Sequence, residues 1–422
     1  MIKNYISILK PWNFWNSTKI NTGVSRPKYL KKLVNFLDIP EVVALFGVRR
    51  SGKSTLLLQI IDYLHKKKVP TINTLYINFE DPGLGEKITA LDLFEILEQY
   101  QDELKPKKRI YLFLDEIQHV QQWQKFVRTI YDQRRDIKIF LTGSSSSIFE
   151  TKLSTVLSGR MLPVKIKPLD FKEFLRFKQV KKNSKKIHDY LDEYLTFGGF
   201  PRVVLEKNKV AKKAILVSYY NTIIEKDVIN LHQIRQKTEL KQLARLVFSN
   251  VGNQISSYKL KNVLKISHVT IQKHLEYLKD AYLIDLIPQF SYSVKNQIYN
   301  PDKIFVVDLG LANTAGFSFS KNKGKLVENL VFQHLEERVQ DIFYWHNGTE
   351  IDLVTRLGLN VDELINVTLT VDEPAVLERE IKSLQLAKKH FQQAKTSLYT
   401  LYNQSGAKQA LVKNVLDLLL DS

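Results

Sequence analysis

The stretch that decides the fold is Ala44-Leu45-Phe46-Gly47-Val48-Arg49-Arg50-Ser51-Gly52-Lys53-Ser54-Thr55-Leu56-Leu57. Its apolar start predicts the end of a buried strand, and the apolar run after Ser54 predicts a helix. Between them, residues 47–54 match G-x-x-x-x-G-K-[ST], in the strand–loop–helix context that this phosphate-binding pattern requires. A chance match is the alternative, but it would rarely fall between a strand and a helix. The stretch therefore predicts a nucleotide site.

Each residue type in this loop suits a phosphate ligand. Glycines let backbone N–H groups turn inward onto phosphate oxygens, and the helix N-terminus adds further donors. We expect Lys53 to reach the β- and γ-phosphates of ATP and the Ser54 hydroxyl to ligate Mg²⁺. The residues predicted to bind the nucleotide are Gly47, Arg50, Ser51, Gly52, Lys53, Ser54 and Thr55.

The composition bounds the class of protein. The chain has 422 residues, 44% of them hydrophobic and 25% charged, which is typical of a globular protein with several domains. It contains no cysteine, which excludes disulfides, thiolate catalysis and zinc–cysteine sites and fits the reducing cytoplasm that we expect as its location. No run approaches the roughly 18 apolar residues of a transmembrane helix, so we expect no membrane association. The first 19 residues lack the apolar core of a signal peptide.

The net charge of the chain indicates what kind of partner it binds. Lys and Arg number 63 against 44 Asp and Glu, a net charge of +19. Such an excess favours a polyanionic partner, nucleic acid before an anionic membrane surface. The alternative is a lysine-rich surface that only maintains solubility.

A second apolar run ends in two acidic residues. It covers residues 110–114 and is followed directly by Asp115 and Glu116, which predicts a buried parallel strand with carboxylates at its tip. In phosphate-loop proteins the first acid holds Mg²⁺ through water, and the second can orient and deprotonate the attacking water. We expect these roles for Asp115 and Glu116. Alternatively, Asp115 only caps the next helix.

Two further polar residues are candidates for catalysis. Ser144 follows an apolar strand at residues 137–143, where its hydroxyl could contact the γ-phosphate or the attacking water; otherwise it belongs to a turn of small residues. Arg160 could stabilise charge in the transition state, in cis or across a subunit interface. Otherwise it is a surface arginine. Strands alternate with helices through residue 165, which predicts a doubly wound parallel sheet with ligands at the carboxyl ends of its strands.

Several motifs together resemble a family of archaeal and bacterial AAA+-type ATPases that carry a winged helix and a C-terminal domain of unknown function. The motifs are Gly47–Ser54, Tyr76–Asp81, Phe113–Gln118, Leu141–Ser144, Leu157–Arg160 and the lid-like Phe197-Gly198-Gly199-Phe200-Pro201. The resemblance covers nearly the whole chain. It implies ATP hydrolysis, a functional Arg160 and a helical lid. A catalytic arginine from a neighbouring subunit would require a homo-oligomer, which we expect.

The next part of the chain has the pattern of a winged helix. Helices are expected at 240–248, 257–264 and 267–279, then strands at 283–287 and 304–307 on either side of a basic-polar loop at 293–300. The third helix would fit a DNA major groove. The candidate DNA contacts are Lys265, His268, Thr270, Gln272, Lys273 and Lys295. The alternative is a winged helix that only mediates protein contacts.

The order of elements after residue 306 looks like the PD-(D/E)xK nuclease fold. Glu328 and Asp352 stand at two of its acidic positions, but Asn366 and Thr368 stand where active members have Glu and Lys. We therefore expect a degenerate nuclease that is kept for DNA or subunit contact and does not cleave. The tail is expected to be helical at 378–395 and 412–420.

These features predict a multi-domain α/β protein. The expected parts are an AAA+-type P-loop ATPase core with an N-terminal helix at residues 1–165, a helical lid at 166–235, a winged helix at 236–305 and a restriction-endonuclease-like α/β domain at 306–422. The expected function is Mg²⁺-dependent ATP hydrolysis coupled to binding or remodelling of DNA, including branched DNA. The alternative is a nucleotide-gated signalling or scaffold protein whose C-terminal parts bind proteins.

Overall fold

The computed structural model describes residues 4–16, 20–85, 87–144, 159–316, 323–402 and 411–421. Of the residues in the quoted motifs, Leu157 and Ser158 lie outside these ranges. The chain divides into two compact units, residues 1–167 and 168–422. The division into four domains is finer than this and stays a prediction.

The first unit is built on a five-stranded sheet in which all neighbouring strands are parallel. Across the sheet the strands are β2 (Thr74–Asn78), β4 (Ile110–Asp115), β6 (Ile137–Gly143), β1 (Val42–Phe46) and β7 (Met161–Lys165). A separate short pair joins β3 (Ile88–Thr89) to β5 (Val120–Gln121). The predicted parallel sheet is confirmed, and the carboxyl ends of its strands share one edge.

Helices cover both faces of this sheet because alternate strand residues point to opposite sides. Ala44 packs on the side of α1 (Tyr5–Leu9), α4 (Ala90–Leu104) and α5 (Trp123–Gln133). Val43 and Leu45 pack on the side of α2 (Pro27–Val34) and α3 (Lys53–Lys66). Since both faces are covered, the strands are mostly apolar, with a few buried polar residues such as Lys138 and Thr142.

The second unit begins with helices in the range predicted as a lid. They are α6 (Phe171–Phe177), α7 (Ile187–Phe197), α8 (Pro201–Leu205) and α9 (Lys209–Ile223), the last continued by a π-helical segment, Ile224–Asn230. The backbone at Gly198 has φ +71°, and a Cβ there would lie 2.2 Å from the Asp308 carboxylate. That carboxylate accepts the N–H of Gly199 at 2.7 Å. The double glycine of the lid-like motif therefore allows a close contact with Asp308.

Four helices and a three-stranded antiparallel sheet follow. In chain order they are α10 (Lys237–Ser249), β8 (Gln254–Ile255), α11 (Ser257–Leu264), α12 (His268–Asp280), β9 (Ile284–Ile287), α13 (Val294–Tyr299) and β10 (Asp302–Val306), with β10 central in the sheet. The predicted loop at 293–300 was wrong, because α13 lies there with Ser293 as its N-cap. The helix has six residues, none of them buried, and is too short for an apolar periodicity over several turns to mark it.

The chain ends in a five-stranded mixed sheet. Its elements are α14 (Leu309–Ala315), α15 (Lys323–Leu335), β11 (Asp341–His346), β12 (Glu350–Leu357), β13 (Asn360–Thr370), α16 (Pro374–His390), β14 (Lys395–Tyr402), β15 (Val412–Asn414) and α17 (Val415–Leu420). The strands lie in sequence order; β11 to β13 are antiparallel, and β13 to β15 are parallel.

The predicted helical tail was partly wrong. The helix expected at 378–395 ends at His390, and the segment expected to be helical at 412–420 begins as a strand. Pairing of β15 with β14 outweighs the local helical pattern there, because strand formation depends on neighbouring strands more than on propensity. Within the ranges described, no helix has both the length and the apolar character needed to span a bilayer.

Candidate nucleotide site

The predicted phosphate-binding residues surround the start of one helix at the carboxyl edge of the parallel sheet. Residues 47–52 form the loop between β1 and α3, and α3 begins at Lys53. The neighbouring strands β6 and β4 end at Gly143 and Asp115. The topology therefore brings the loop, the acidic pair and Ser144 to one edge.

The loop has the backbone shape of an anion-binding nest. Gly47, Arg50 and Gly52 have φ values of +140°, +71° and +101°, which let successive N–H groups turn to one side. A Cβ at Gly47 would lie 2.2 Å from the Ile166 carbonyl oxygen, so the loop admits only glycine there. The guanidinium of Arg26 donates to the carbonyl oxygens of Ser51 (2.8 Å) and Lys167 (3.0 Å).

Two buried polar groups of the loop fit a phosphate ligand. The Lys53 ammonium, on a side chain that is almost wholly buried, donates to the carbonyl oxygens of Gly47 (2.8 Å) and Val48 (3.1 Å). The Ser51 hydroxyl is buried and has no hydrogen-bond partner among the residues that the structure describes. A buried cation, an unsatisfied buried hydroxyl and a helix N-terminus together match the chemistry of a phosphate group.

Asp115 lies beside this loop in a cluster of hydroxyl groups. Its Oδ1 accepts the Thr142 hydroxyl at 2.5 Å, its Oδ2 accepts the Tyr76 hydroxyl at 2.6 Å, and the Ser54 hydroxyl also donates to it. Burial, followed by the charge of Glu116, raises the pKa of Asp115, and the three hydroxyls oppose this shift. The Ser54 and Asp115 oxygens are in direct contact and are of the kind that Mg²⁺ prefers. These residues therefore fit the predicted metal.

Glu116 is held next to Asp115 by the same threonine. Its backbone N–H donates to the Thr142 hydroxyl at 2.8 Å, and its backbone is left-handed, with φ +56°. The Gln118 amide donates to Glu116 Oε2 and, at 3.3 Å, to the Ser144 hydroxyl. Glu116 and Ser144 therefore share one hydrogen-bonding partner.

The sequence did not reveal the roles of Tyr76, Thr142 and Gln118. Tyr76 and Thr142 stand inside apolar strands on either side of β4, and only the strand order shows that both reach Asp115. A hydroxyl residue near the end of each neighbouring strand was the one available signal.

The first arginine of the loop contacts the end of β2. The Arg49 guanidinium lies 2.7 Å from the Glu80 carboxylate, and the Arg49 side chain is 6% exposed. His119 Nε2 lies 3.9 Å from the same Glu80 oxygen. Glu80 thus links the phosphate loop to the turn after β4.

Arg160 is not brought to this site. Its carbonyl accepts the N–H of Val42, the first residue of β1, whereas the phosphate loop follows Phe46 at the other end of that strand. Five strand residues span roughly 16 Å. Its Nε lies 3.3 Å from the Asp132 carboxylate. The geometry therefore does not support a role in cis, while a role across a subunit interface stays a prediction.

The predicted DNA contacts lie in the second unit. Lys265, Gln272, Lys273 and Lys295 are exposed, whereas His268 and Thr270 are half-buried. The His268 ring lies 4.8 Å from the Tyr258 ring. The Thr270 hydroxyl lies 2.8 Å from that of Ser267. The same region exposes apolar side chains, among them Tyr258, Val263, Val269, Tyr292, Ile298 and Tyr299.

The residues expected from the nuclease resemblance lie in one cleft. Glu328, Asp352, Asn366 and Thr368 line a cavity of about 570 Å³ beside the mixed sheet. The Asn366 amide donates to Glu380 at 2.8 Å, and its carbonyl accepts the N–H of Asp352 at 3.3 Å. The Asn366 side chain is thus committed to protein contacts.

Three features define the first unit as a P-loop ATPase fold of the AAA type, which implies nucleotide binding. They are the parallel sheet, the nest-shaped loop after β1 and the buried acid at the end of β4, two strands away. Consistent with this, a family model described as an AAA domain matches residues 40–175, and one described as a domain of unknown function (DUF8612) matches residues 188–322.

Relatives that match most of this chain are found in an archaeon and a bacterium. The uncharacterized protein MJ1544 of Methanocaldococcus jannaschii is 38% identical over 406 residues, covering 92% of this chain and 88% of the relative. An uncharacterized protein of Haemophilus influenzae is 32% identical over 357 residues, covering 83% and 88%. The chain belongs to the family of these proteins. Among solved structures, the Walker-type ATPase PABY2304 of Pyrococcus abyssi is similar with a TM-score of 0.48 and 17% identity, covering 69% of this chain and 96% of that one.

Proposed function

We propose that the protein hydrolyses ATP in the presence of Mg²⁺. The observation that carries the proposal is the pairing of Asp115 with Glu116 through the Thr142 hydroxyl, directly beside the phosphate loop. Gly47, Arg50, Ser51, Gly52, Lys53, Ser54 and Thr55 would hold the nucleotide. Ser54 and Asp115 would hold the metal.

Each residue of the site would have a separate role in ATP hydrolysis. Bound Mg²⁺ supplies positive charge against the phosphate oxygens. Lys53 contributes a second positive charge at the loop. Because the Gln118 amide holds Glu116 Oε2, Oε1 is left to accept the proton of the attacking water. Ser144 donates or accepts a hydrogen bond beside that carboxylate.

The test is the Glu116→Gln variant, which keeps the shape of the side chain and removes the base. We expect ATP binding to persist and turnover to fall about 100- to 10,000-fold, the usual contribution of a general base. Glu98→Gln, at an exposed position of α4, is the matched control and should keep full turnover. Unchanged turnover in Glu116→Gln would refute the assignment.

We further propose that hydrolysis is coupled to DNA through a winged helix at residues 236–305. The support is the element order from α10 to β10, with β10 between β8 and β9, together with the net charge of +19. In this proposal, nucleotide state moves the helical lid at 166–235, and the lid moves the winged helix on DNA. Lys265, His268, Thr270, Gln272, Lys273 and Lys295 would contact the DNA.

Gel shifts with duplex and junction DNA at several salt concentrations test this proposal. Lysines that neutralise DNA phosphates release counterions, so binding should weaken as the salt concentration rises. Replacing Lys265 and Lys273 together by Ala should weaken binding at low salt. Replacing the exposed Lys388 and Lys389 of α16 removes the same charge elsewhere and should change it less. Equal losses in the two double variants would contradict the proposed surface.

The alternative is a nucleotide-gated signalling or scaffold protein. One observation favours it: apolar side chains, including Tyr258 and Ile298, are exposed on the same elements as the proposed DNA contacts. Exposed apolar side chains grouped on one surface are typical of protein interfaces. Two results together would favour the signalling or scaffold function: no shift of DNA in gels at low salt, and an ATPase rate that does not change when DNA is added.

Two further roles belong to the same proposal. We propose that the protein is a homo-oligomer in which Arg160 stabilises charge at a neighbouring subunit's nucleotide, and that residues 306–422 are a nuclease fold without cleavage activity. Arg160→Ala should then lower turnover without weakening nucleotide binding. Plasmid DNA should remain intact with Mg²⁺ present, because Asn366 and Thr368 replace an acid and a lysine.

A further inference from the structure

A fully buried lysine lies among three carboxylates in the second unit. Lys303 belongs to β10, and its side chain is 0% exposed. Its ammonium lies 2.6 Å from Glu328, 3.0 Å from Glu350 and 3.1 Å from Asp352. The three acids come from α15 and from two positions of β12. One cation thus joins the small antiparallel sheet to a helix and a strand of the mixed sheet.

The surrounding contacts complete a charge cluster. The Lys325 ammonium lies 2.7 Å from the second Glu328 oxygen and 3.7 Å from Asp352. The second Asp352 oxygen accepts the N–H of Val367 at 2.9 Å. Three carboxylates therefore face two ammonium groups. Such a cluster persists in the interior only if its charges are paired, because unpaired buried charges are very unfavourable.

The electrostatics favour a permanently charged lysine. Burial alone would lower the pKa of Lys303, but the charges of Asp352, Glu328 and Glu350 raise it above its ordinary value. Burial, followed by the charge of Asp352, raises the pKa of Glu328 to about 7, and the two lysines oppose this shift.

The Lys303 ammonium itself occupies the position of a bound cation, and among the described residues no group of acids or histidines is arranged to hold a metal ion as it stands. Oxygens from three separate residues converge on this buried ammonium, and the same three residues also line the 570 Å³ cleft. The Glu350 side chain is 41% exposed. Hard divalent cations are bound by such carboxylate sets, at about 2.3–2.6 Å for Ca²⁺ and 2.0–2.1 Å for Mg²⁺. The larger ion needs less contraction of the cluster.

We propose that the Lys303 ammonium is the resident cation of this cluster, in the place that a divalent metal ion would otherwise need, and that Glu328, Glu350 and Asp352 become a divalent-cation site when the ammonium is removed. The proposal uses only the contacts of the second unit and is independent of ATP hydrolysis or DNA binding. It gives a physical reason for the proposed lack of metal-assisted cleavage in a cleft that keeps acidic residues.

The test is Ca²⁺ binding to the nucleotide-free full-length chain, measured by calorimetry. Lys303→Met keeps the unbranched chain as far as the ε position and removes the ammonium group with its charge. We expect it to bind Ca²⁺ at least tenfold more tightly than the wild type, and the double variant Lys303→Met/Asp352→Asn to lose this gain. Lys395→Met, at a side chain that is 76% exposed, is the matched control and should resemble the wild type.

Three results would overturn the proposal. The first is a folded Lys303→Met variant that binds Ca²⁺ no more tightly than the wild type. The second is a wild-type chain that already binds a Ca²⁺ ion which Asp352→Asn abolishes. If Lys303→Met does not fold alone, circular dichroism with added Ca²⁺ decides: recovered structure supports the proposal, and unchanged disorder at millimolar Ca²⁺ is the third contrary result.

Discussion

Removing the hydroxyl of Tyr76 tests the account of the acidic pair most directly. Tyr76 is 3% exposed, and its hydroxyl donates to Asp115 Oδ2 at 2.6 Å. Burial and then the charge of Asp115 raise the pKa of Tyr76, so the hydroxyl stays protonated and remains a donor. In Tyr76→Phe the ring still fills its place in the core, and only this hydrogen bond is lost.

The expected loss of stability in Tyr76→Phe is large because the acceptor of the lost hydrogen bond, Asp115, is buried. A hydrogen bond to a charged group contributes about 1.5–3 kcal/mol, and Asp115, 2% exposed, has no access to bulk water that could replace it. Thr142 and Ser54 remain as donors, so the carboxylate is not stripped of partners. The free energy of unfolding of the first unit should fall by about 1.5–3 kcal/mol. At about 2–4 °C per kcal/mol, its melting temperature should fall by roughly 3–12 °C.

The assay is urea unfolding followed by tryptophan fluorescence. Of the four tryptophans, only Trp345 lies in the second unit, so a Trp345→Phe background makes the signal specific for the first unit. Tyr111→Phe is the matched control, because Tyr111 lies in the adjacent strand β4, faces Arg109 with its ring and is not a partner of Asp115. If the two variants lose the same stability, or if Tyr76→Phe loses less than about 0.5 kcal/mol, the described role of the hydroxyl is wrong.

Three further variants test other contacts. Gly47→Ala should abolish binding of a fluorescent ATP analogue and lower the melting temperature, because its Cβ would lie 2.2 Å from the Ile166 carbonyl oxygen. Burial and the charge of Arg109 lower the pKa of Lys138 to about 8. Above that pH the lysine is protonated in the unfolded chain but mostly deprotonated in the folded one, so raising the pH favours folding. The free energy of unfolding of the wild type, minus that of Lys138→Met, should therefore increase by about 1.4 kcal/mol from pH 7 to 9. A difference that does not change with pH would contradict this. Asp308→Asn should lower the free energy of unfolding by about 1–3 kcal/mol in urea, because its new NH₂ group would face a backbone N–H donor.

The sequence predicted those parts of the site that have a fixed spacing. The phosphate loop occupies consecutive residues, and its glycines and Lys53 could be assigned before any strand order was known. The parallel sheet was predictable because its strands are mostly apolar, as is typical of strands that are covered on both faces. Asp115 and Glu116 stood out as acids directly after such a strand.

Contacts between distant residues could not be predicted in this way. Lys303 lies 25 residues before Glu328 and 49 before Asp352, and nothing in its local sequence marks it as buried. Tyr76 and Thr142 looked like ordinary strand residues until the strand order placed them around Asp115. The strand β14 was missed for a related reason, since its partners on both sides are set by tertiary pairing.

The contacts of Gly47 and Arg26 have a mechanical consequence. Gly47 packs closely against the carbonyl group of Ile166. The Arg26 guanidinium donates hydrogen bonds both to the loop, at Ser51, and to Lys167, the last residue of the first unit. If nucleotide binding or release changes the shape of the loop, these contacts would therefore displace Lys167 and, through the peptide bond, residue 168. The covalent connection at Lys167 and Pro168 can therefore carry the change of shape onward along the chain.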